Sequence, residues 1–167
     1  FHTCNPQAPA TSFVMVNDIH GDNKLLEDLM SRCNLTQTDF VLFNGDMLSF
    51  INSEDQLFKG FMDTAVRLFA SEIPMYYARG NHETRGVFAT EIQRYFSPCQ
   101  EHLYYAFRQG PVYCIVLDTG EDKPDSDIEY AGITQYDLYR TEQSEWLASI
   151  LESTESVSYT HLTLPTT

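Results

Sequence analysis

The sequence predicts an α/β fold built on a largely parallel sheet, because short apolar runs alternate along the chain with segments of helical periodicity. Polar clusters follow the first three apolar runs, as in sheets whose strand ends form a site. The 167 residues are 43% hydrophobic and 20% charged, which suits one globular domain with a substantial core. The predicted architecture is therefore a single α/β domain.

The predicted strands are short, continuous apolar runs, as expected for strands covered on both faces. They lie at residues 12–17, 40–43, 74–78, 103–107 and 112–117. The last two runs are separated by a short segment that contains glycine and proline, so they are predicted to form a hairpin.

The helices are predicted from apolar residues that recur three and four positions apart. A first helix begins near Asn23, with Asp22 or Asn23 as its N-cap, and a second begins after the capping residue Ser53. An irregular helix is predicted after the third strand. A polar loop at 121–140 then leads into a last helix whose apolar face includes Trp146.

The charge and cysteine content exclude several function classes. A formal net charge of −14 disfavours binding to nucleic acid or to anionic lipid, so a bound phosphate must be recruited locally, for example by cations. No apolar stretch approaches the roughly 20 residues that cross a bilayer. The four cysteines are scattered without a Cys-x-x-Cys pair, which gives no zinc knuckle or disulfide framework, and Cys33 and Cys114 are predicted to lie in the core.

The two ends of the chain do not resemble domain sequence. Residues 1–11 are predicted to be a linker, and the absence of a starting methionine leaves localisation open, with a periplasmic or secreted location as an option. The segment 157–167 resembles a translated sequencing adapter, and a natural final strand is the alternative interpretation. On the adapter interpretation, the natural sequence ends near Ser156 and His161 is not a metal ligand.

Three polar clusters stand directly after the first three predicted strands. They are Asp18-Ile19-His20-Gly21-Asp22, Asn44-Gly45-Asp46 and Gly80-Asn81-His82-Glu83. Because the carboxyl ends of parallel strands meet at one edge of a sheet, clusters far apart in sequence are expected to converge there. Carboxylate, imidazole and amide groups are suitable ligands for Mn²⁺, Fe²⁺ or Zn²⁺.

This ordered set of motifs resembles the calcineurin-like metallophosphoesterase superfamily over residues 12–118. The resemblance implies an α/β, metallophosphoesterase-type layered sandwich, with sheets flanked by helices, that is truncated at the C-terminus and occupies residues 12–156. It also implies two divalent metal ions, Mn, Fe or Zn, that hydrolyse phosphate mono- or diesters through a metal-bridging hydroxide. The expected partner is a small phosphate ester or a phosphorylated substrate, and the oligomeric state stays open.

The resemblance assigns a role to each residue in the clusters. Asp18 and His20 would bind the first metal, Asp46 would bridge both metals, and Asn81 would bind the second. His82 would lie near the leaving oxygen as the catalytic residue. A bridging ligand needs two oxygens and a negative charge to offset the repulsion between cations, which explains a carboxylate at position 46.

The sequence also departs from the family pattern. Members carry further ligand histidines in later loops, and no suitable pair follows Leu117. His102 precedes a predicted strand, so it is interpreted as structural. The gene is therefore expected to continue past position 156 with these ligands, and the fragment as given is expected to be incomplete for activity. Two weaker segments, 104–107 and 139–147, resemble bacterial secreted phosphatases of this superfamily.

Two other functions stay open at this stage. One is a non-catalytic binding module of metallophosphoesterase type. The other is an aspartic-peptidase-like protein, because Asp118-Thr119-Gly120 follows an apolar strand, although such enzymes need two carboxylates and no second tripeptide of this kind occurs. The role of Glu83 is also open, since it could orient His82 or be an exposed carboxylate at a helix start.

Overall fold

The computed structural model describes residues 1, 3, 5–96 and 101–153. It confirms the α/β class, with a parallel sheet flanked by helices and a separate hairpin. The adapter-like segment 157–167, including His161, lies outside the described residues, so the interpretation of that segment stays a prediction. No helix in the described part of the chain is long and apolar enough to cross a membrane.

The parallel sheet has three strands in the order β1-β2-β3, namely β1 Phe13–Val16, β2 Phe40–Asn44 and β3 Met75–Ala78. Val16 pairs with Phe43, and Asn44 pairs with Ala78. The three strands consequently end at the same edge of the sheet. The polar clusters that follow them are brought together there, as the sequence predicts.

Two helices cover one face of this sheet. Helix α1 is Asn23–Ser31 and is capped by Asp22, whose Oδ1 accepts the N–H of Leu25 at 3.0 Å. Helix α2 spans 54–70 and includes two π-helical stretches, Phe58–Met62 and Val66–Ala70, for which the sequence carried no signal.

The capping residue of α2 is Ser53, as predicted, and its hydroxyl accepts the N–H of Gln56 at 3.2 Å. The reciprocal bond differs from a standard capping box, because Gln56 Oε1 accepts the N–H of Asn52 rather than that of Ser53. The chain is therefore fixed one residue before the cap, next to the loop that follows β2.

The main core lies between the sheet and these helices. Phe43 in β2 is fully buried and makes edge contacts with the rings of Phe61 and Phe69 in α2. The prediction that Cys33 and Cys114 are core residues is wrong, because both are only half-buried. Cys33 lies beyond the end of α1, and Cys114 lies in a strand whose other residues are largely half-buried as well.

The second half of the chain adds an irregular helical segment and the predicted hairpin. The segment consists of 3₁₀ turns at His82–Thr84 and Ala89–Glu91 followed by α3 at Gln93–Phe96. Strands β4, Tyr105–Gln109, and β5, Val112–Val116, pair in antiparallel fashion. The hairpin packs on the sheet by stacking Phe107 on Tyr76, with ring centroids 3.6 Å apart.

The last helix, α4, is Tyr136–Ser153, so it begins inside the segment predicted as a polar loop. Its fully buried residue is Gln143, whereas Trp146 on the predicted apolar face is only half-buried. Gln143 accepts the N–H of Asp118 at 2.6 Å and donates to the carbonyl of Asp118 at 2.8 Å. The side-chain amide of Gln143 therefore attaches α4 to the backbone just after β5.

The carboxylate of Asp118 is fully buried and forms a network with β3 and α4. Arg79 contacts both of its oxygens, at 3.2 Å from Nε and 2.9 Å from Nη2, and the Tyr139 hydroxyl donates at 2.9 Å. Burial, followed by the nearby carboxylate, raises the pKa of Tyr139 above its ordinary value. The network joins Arg79, the residue before Gly80, to the second half of the chain.

Replacing Arg79 with Met is expected to lower the free energy of unfolding by about 3 to 5 kcal/mol, because it leaves a buried carboxylate without its cation. Arg67→Met is the matched control, since Arg67 pairs with Glu27 at the solvent-exposed surface and its loss should change stability little. Urea unfolding of the two variants measures the difference. Equal stability of both variants would show that the buried pair contributes no more than a surface pair.

Candidate metal centre

Three side chains from the ends of the three parallel strands meet at one point. His20, Asp46 and His82 each offer one ligand atom, and these atoms all lie within 4.8 Å of one another. The rings of His20 and His82 are in edge contact, with centroids 4.7 Å apart. Two imidazoles and a carboxylate at this separation form a donor set suited to a divalent transition-metal ion.

The backbone at this point is strained. Asp18, His20 and Asp46 adopt left-handed conformations, with φ of 58°, 51° and 56°. Ala131 is the remaining non-glycine residue with positive φ in the part of the chain that the structure describes. Such conformations cost roughly 1 to 3 kcal/mol each and concentrate at functional sites. The strain at three predicted ligands is therefore independent support for a functional site.

Backbone hydrogen bonds hold the first two loops side by side. The N–H of Asp18 donates to the carbonyl of Gly45 at 3.1 Å, and the N–H of His20 donates to that of Asp46 at 3.0 Å. These bonds continue the β1-β2 pairing past the strand ends. They keep the two strained ligand loops in register.

The third loop approaches the second at backbone distance. A Cβ at Gly80 would lie 2.2 Å from Asp46 Oδ1, and a Cβ at Gly45 would lie 2.8 Å from the Cα of Gly80. No larger residue fits at either position without moving the Asp46 carboxylate or the loop backbone. The same approach lets the N–H of His82 donate to Asp46 Oδ1 at 3.1 Å.

Ser49 contacts both histidines of the centre. Its carbonyl lies 3.0 Å from Nδ1 of His82, and its hydroxyl lies 3.3 Å from Nδ1 of His20. A carbonyl can only accept, so the shorter contact favours a proton on Nδ1 of His82, whereas Arg85 Nη1, which can only donate, lies 3.4 Å from the same nitrogen. No local pattern identifies Ser49, because its contacts are with residues 29 and 33 positions away.

The other two predicted ligands lie beside this group. Asp18 Oδ1 is 3.7 Å from His20 Nε2, and the Asp18 side chain is largely exposed. The Asn81 side-chain NH₂ faces Glu121 Oε2 at 3.5 Å. In this orientation, the amide oxygen of Asn81 lies on the side of the amide away from Glu121. The oxygen is the atom that would bind a metal.

The model of one protein family, calcineurin-like phosphoesterase, matches residues 11–165. The chain belongs to this family. The match confirms the resemblance drawn from the three motifs and supports phosphate-ester hydrolysis in general. A search of curated proteins found no match.

Glu83 connects the third loop to the second. It is fully buried, and its carboxylate accepts the N–H groups of Asp46 at 3.0 Å, Leu48 at 2.9 Å and Gly80 at 3.0 Å. Burial raises the pKa of Glu83, and the N–H donors oppose that rise. The exposed-carboxylate alternative for Glu83 is therefore wrong, and its role is to hold the loops that carry the ligands.

A second buried carboxylate of the phosphoesterase lies behind Asn81. Glu121, the first residue of the predicted polar loop, is paired with Arg85 at 2.7 and 2.9 Å and accepts the Thr84 hydroxyl at 3.0 Å. Burial opposes ionisation of Glu121, but these hydrogen bonds outweigh it and lower its pKa to about 2. Glu121 is thus an ionised acceptor that orients the Asn81 amide.

Neither Asp118 nor His102 belongs to the candidate metal centre. Asp118 is committed to Arg79 and Tyr139, so it does not provide the free carboxylate that the aspartic-peptidase alternative requires. His102 stacks on Tyr104, with ring centroids 4.6 Å apart, in agreement with its structural interpretation.

Glu83→Gln is expected to weaken Mn²⁺ binding and to lower the unfolding temperature, because an amide NH₂ would face a backbone N–H that now donates to the carboxylate. Glu91→Gln makes the same chemical change at an exposed carboxylate paired with Arg94 and should alter neither quantity. Calorimetric Mn²⁺ titration and thermal unfolding measure both effects. Unchanged Mn²⁺ affinity in Glu83→Gln would contradict the positioning role of Glu83.

Proposed function

We propose that this phosphoesterase hydrolyses phosphate mono- or diesters with two divalent metal ions, and that Asp46 is the ligand common to both ions. The observation that carries the proposal is the meeting of His20, Asp46 and His82 within 4.8 Å at the ends of three adjacent parallel strands. The left-handed backbone at His20 and Asp46 supports it, because such conformations in non-glycine residues concentrate at functional sites.

The proposed ligand sets follow from the positions of the side chains. Asp18, His20 and Asp46 would hold the first ion, and Asp46 with the amide oxygen of Asn81 would hold the second. Each carboxylate oxygen of Asp46 has two lone pairs, so Oδ1 can bind an ion while it accepts the N–H of His82. The donor types suit Mn, Fe or Zn ions.

When bound, two such ions would polarise the phosphoryl group and activate the attacking water. The residues of the chain then orient the reacting groups. Glu121 directs the amide of Asn81, and the Ser49 carbonyl contacts the His82 ring at Nδ1. When protonated at Nε2, His82 would donate to the leaving oxygen of the ester.

The two roles predict different behaviour for two variants. Asp46→Asn should weaken the binding of both ions, because an amide is a poor bridging ligand. His82→Ala should keep the metal but lower turnover by roughly 10²- to 10⁴-fold. Metal content by elemental analysis and kinetics on p-nitrophenyl phosphate separate these results. Metal content and turnover are measured on the same preparations of each variant.

The outcomes for His82 also distinguish a proton donor from a ligand. His82 lies close enough to His20 and Asp46 to bind the same ion, so a His82→Ala protein that loses metal would make it a ligand. Full activity in His82→Ala would contradict both roles. A metal-loaded wild-type protein without hydrolytic activity would favour the alternative of a non-catalytic binding module.

A further inference from the structure

A cavity of about 450 Å³ opens beside the metal centre, between the loop after β2 and helix α2. The residues that matter to its chemistry are His20, Ser49, Phe50, Asp55, Gln56 and Lys59. Its α2 wall includes the π-helical stretch Phe58–Met62, and single π-helical turns inside helices are frequent at functional sites. We refer to this cavity as the α2 pocket.

The α2 pocket adjoins the candidate metal centre, because His20 and Ser49 line it and the Ser49 carbonyl contacts Nδ1 of His82. The organic part of a phosphate monoester is its leaving group. A phosphate bound beside His20 would therefore bring the leaving group within reach of the α2 pocket. The cavity is large enough for a ring system of small-molecule size.

The main apolar surface in the α2 pocket is the ring of Phe50, which is 48% exposed. Polar side chains line the same pocket. Gln56 uses Oε1 to accept the N–H of Asn52, which leaves its NH₂ group as a donor. An exposed ring with donors and acceptors around it is suited to a planar ligand with polar substituents.

The charges in the α2 pocket argue against an anionic leaving group. Lys59 is the cation that lines it, and its ammonium group is paired with Asp55 one helical turn away. The two charges cancel, and the chain as a whole carries a formal net charge of −14. A second phosphate or carboxylate on the leaving group would therefore gain little binding free energy in the α2 pocket.

We propose that the α2 pocket receives the leaving group of the substrate and selects phosphate esters whose leaving group carries an aromatic ring, as in aryl or nucleoside phosphates. The proposal rests on the proposed function, because it concerns the substrate of the same site. The ring of the leaving group packs on Phe50, and its polar substituents contact Gln56 and the Asp55–Lys59 pair. An aliphatic polyol leaves the Phe50 ring exposed and gains less from binding.

Phe50→Ala tests the kinetic consequence. In Phe50→Ala, kcat/KM for phenyl phosphate should fall about 3- to 10-fold, with a smaller change for glycerol phosphate. Because phenol is intrinsically the better leaving group, each ester is compared between variant and wild type. Phe50→Tyr keeps an aromatic ring and should retain the wild-type preference. Phe13→Ala is the matched control, since Phe13 is 45% exposed at the opposite end of β1 and should leave both activities unchanged.

A binding experiment separates this proposal from the proposed function. Saturation-transfer NMR measures the binding of phenol, adenosine and glycerol to the protein without turnover. We expect signals for phenol and adenosine that weaken in Phe50→Ala and return in Phe50→Tyr, with no signal for glycerol. If neither ester is hydrolysed but this pattern is seen, the proposed function fails while the aromatic preference of the α2 pocket holds.

The opposite results overturn the proposal. If hydrolysis is observed but Phe50→Ala lowers kcat/KM equally for both esters, or for neither, the α2 pocket does not select aromatic leaving groups. If Phe50→Ala does not affect the binding of phenol and adenosine, these ligands bind at another place on the protein, which likewise contradicts the proposal.

Discussion

The backbone of Gly45 lies against the backbone of Gly80, and the metal centre depends on this contact. It brings the loop that carries Asp46 to the loop that carries His82, at the ends of β2 and β3. Glu83 then accepts N–H groups from both loops and keeps them together. A single added methyl group at either glycine would separate the two loops, which explains why the ligand residues are accompanied by glycine.

The same arrangement maintains the strained backbone of the predicted ligand residues. Asp18, His20 and Asp46 hold left-handed conformations that an isolated loop would not keep. The core between the sheet and helices α1 and α2 fixes the strand ends, and backbone hydrogen bonds between the first two loops continue the sheet pairing beyond them. The rigid sheet therefore stabilises a local conformation that positions the ligand side chains.

The strands and the convergence of the polar clusters could be predicted from the sequence because their signals are local. Apolar runs identify the parallel strands to within one or two residues, and polar residues directly after them identify the site. Glu83, Ser49 and Glu121 could not be assigned in this way. Their roles depend on partners that lie mostly 29 to 40 positions away, and such contacts leave no pattern in a single sequence.

The second half of the chain was predicted less well for a related reason. Helix α4 carries apolar residues at helical spacing, but its fully buried residue is Gln143, which bonds to the backbone of Asp118. The buried pair of Arg79 and Asp118 joins β3 to the residues after β5. Polar interactions of this kind determine how the elements pack, and hydrophobic periodicity does not report them.

The most direct test of the account is anomalous diffraction from crystals of the protein grown with Mn²⁺. We expect a strong peak at Asp18, His20 and Asp46, and a second, weaker peak on the Asn81 side of Asp46 at about 4 Å from the first. Asp46 would then be the ligand shared by the two ions. A single ion held jointly by His20, Asp46 and His82, or no ion in contact with Asp46, would contradict the two-metal account.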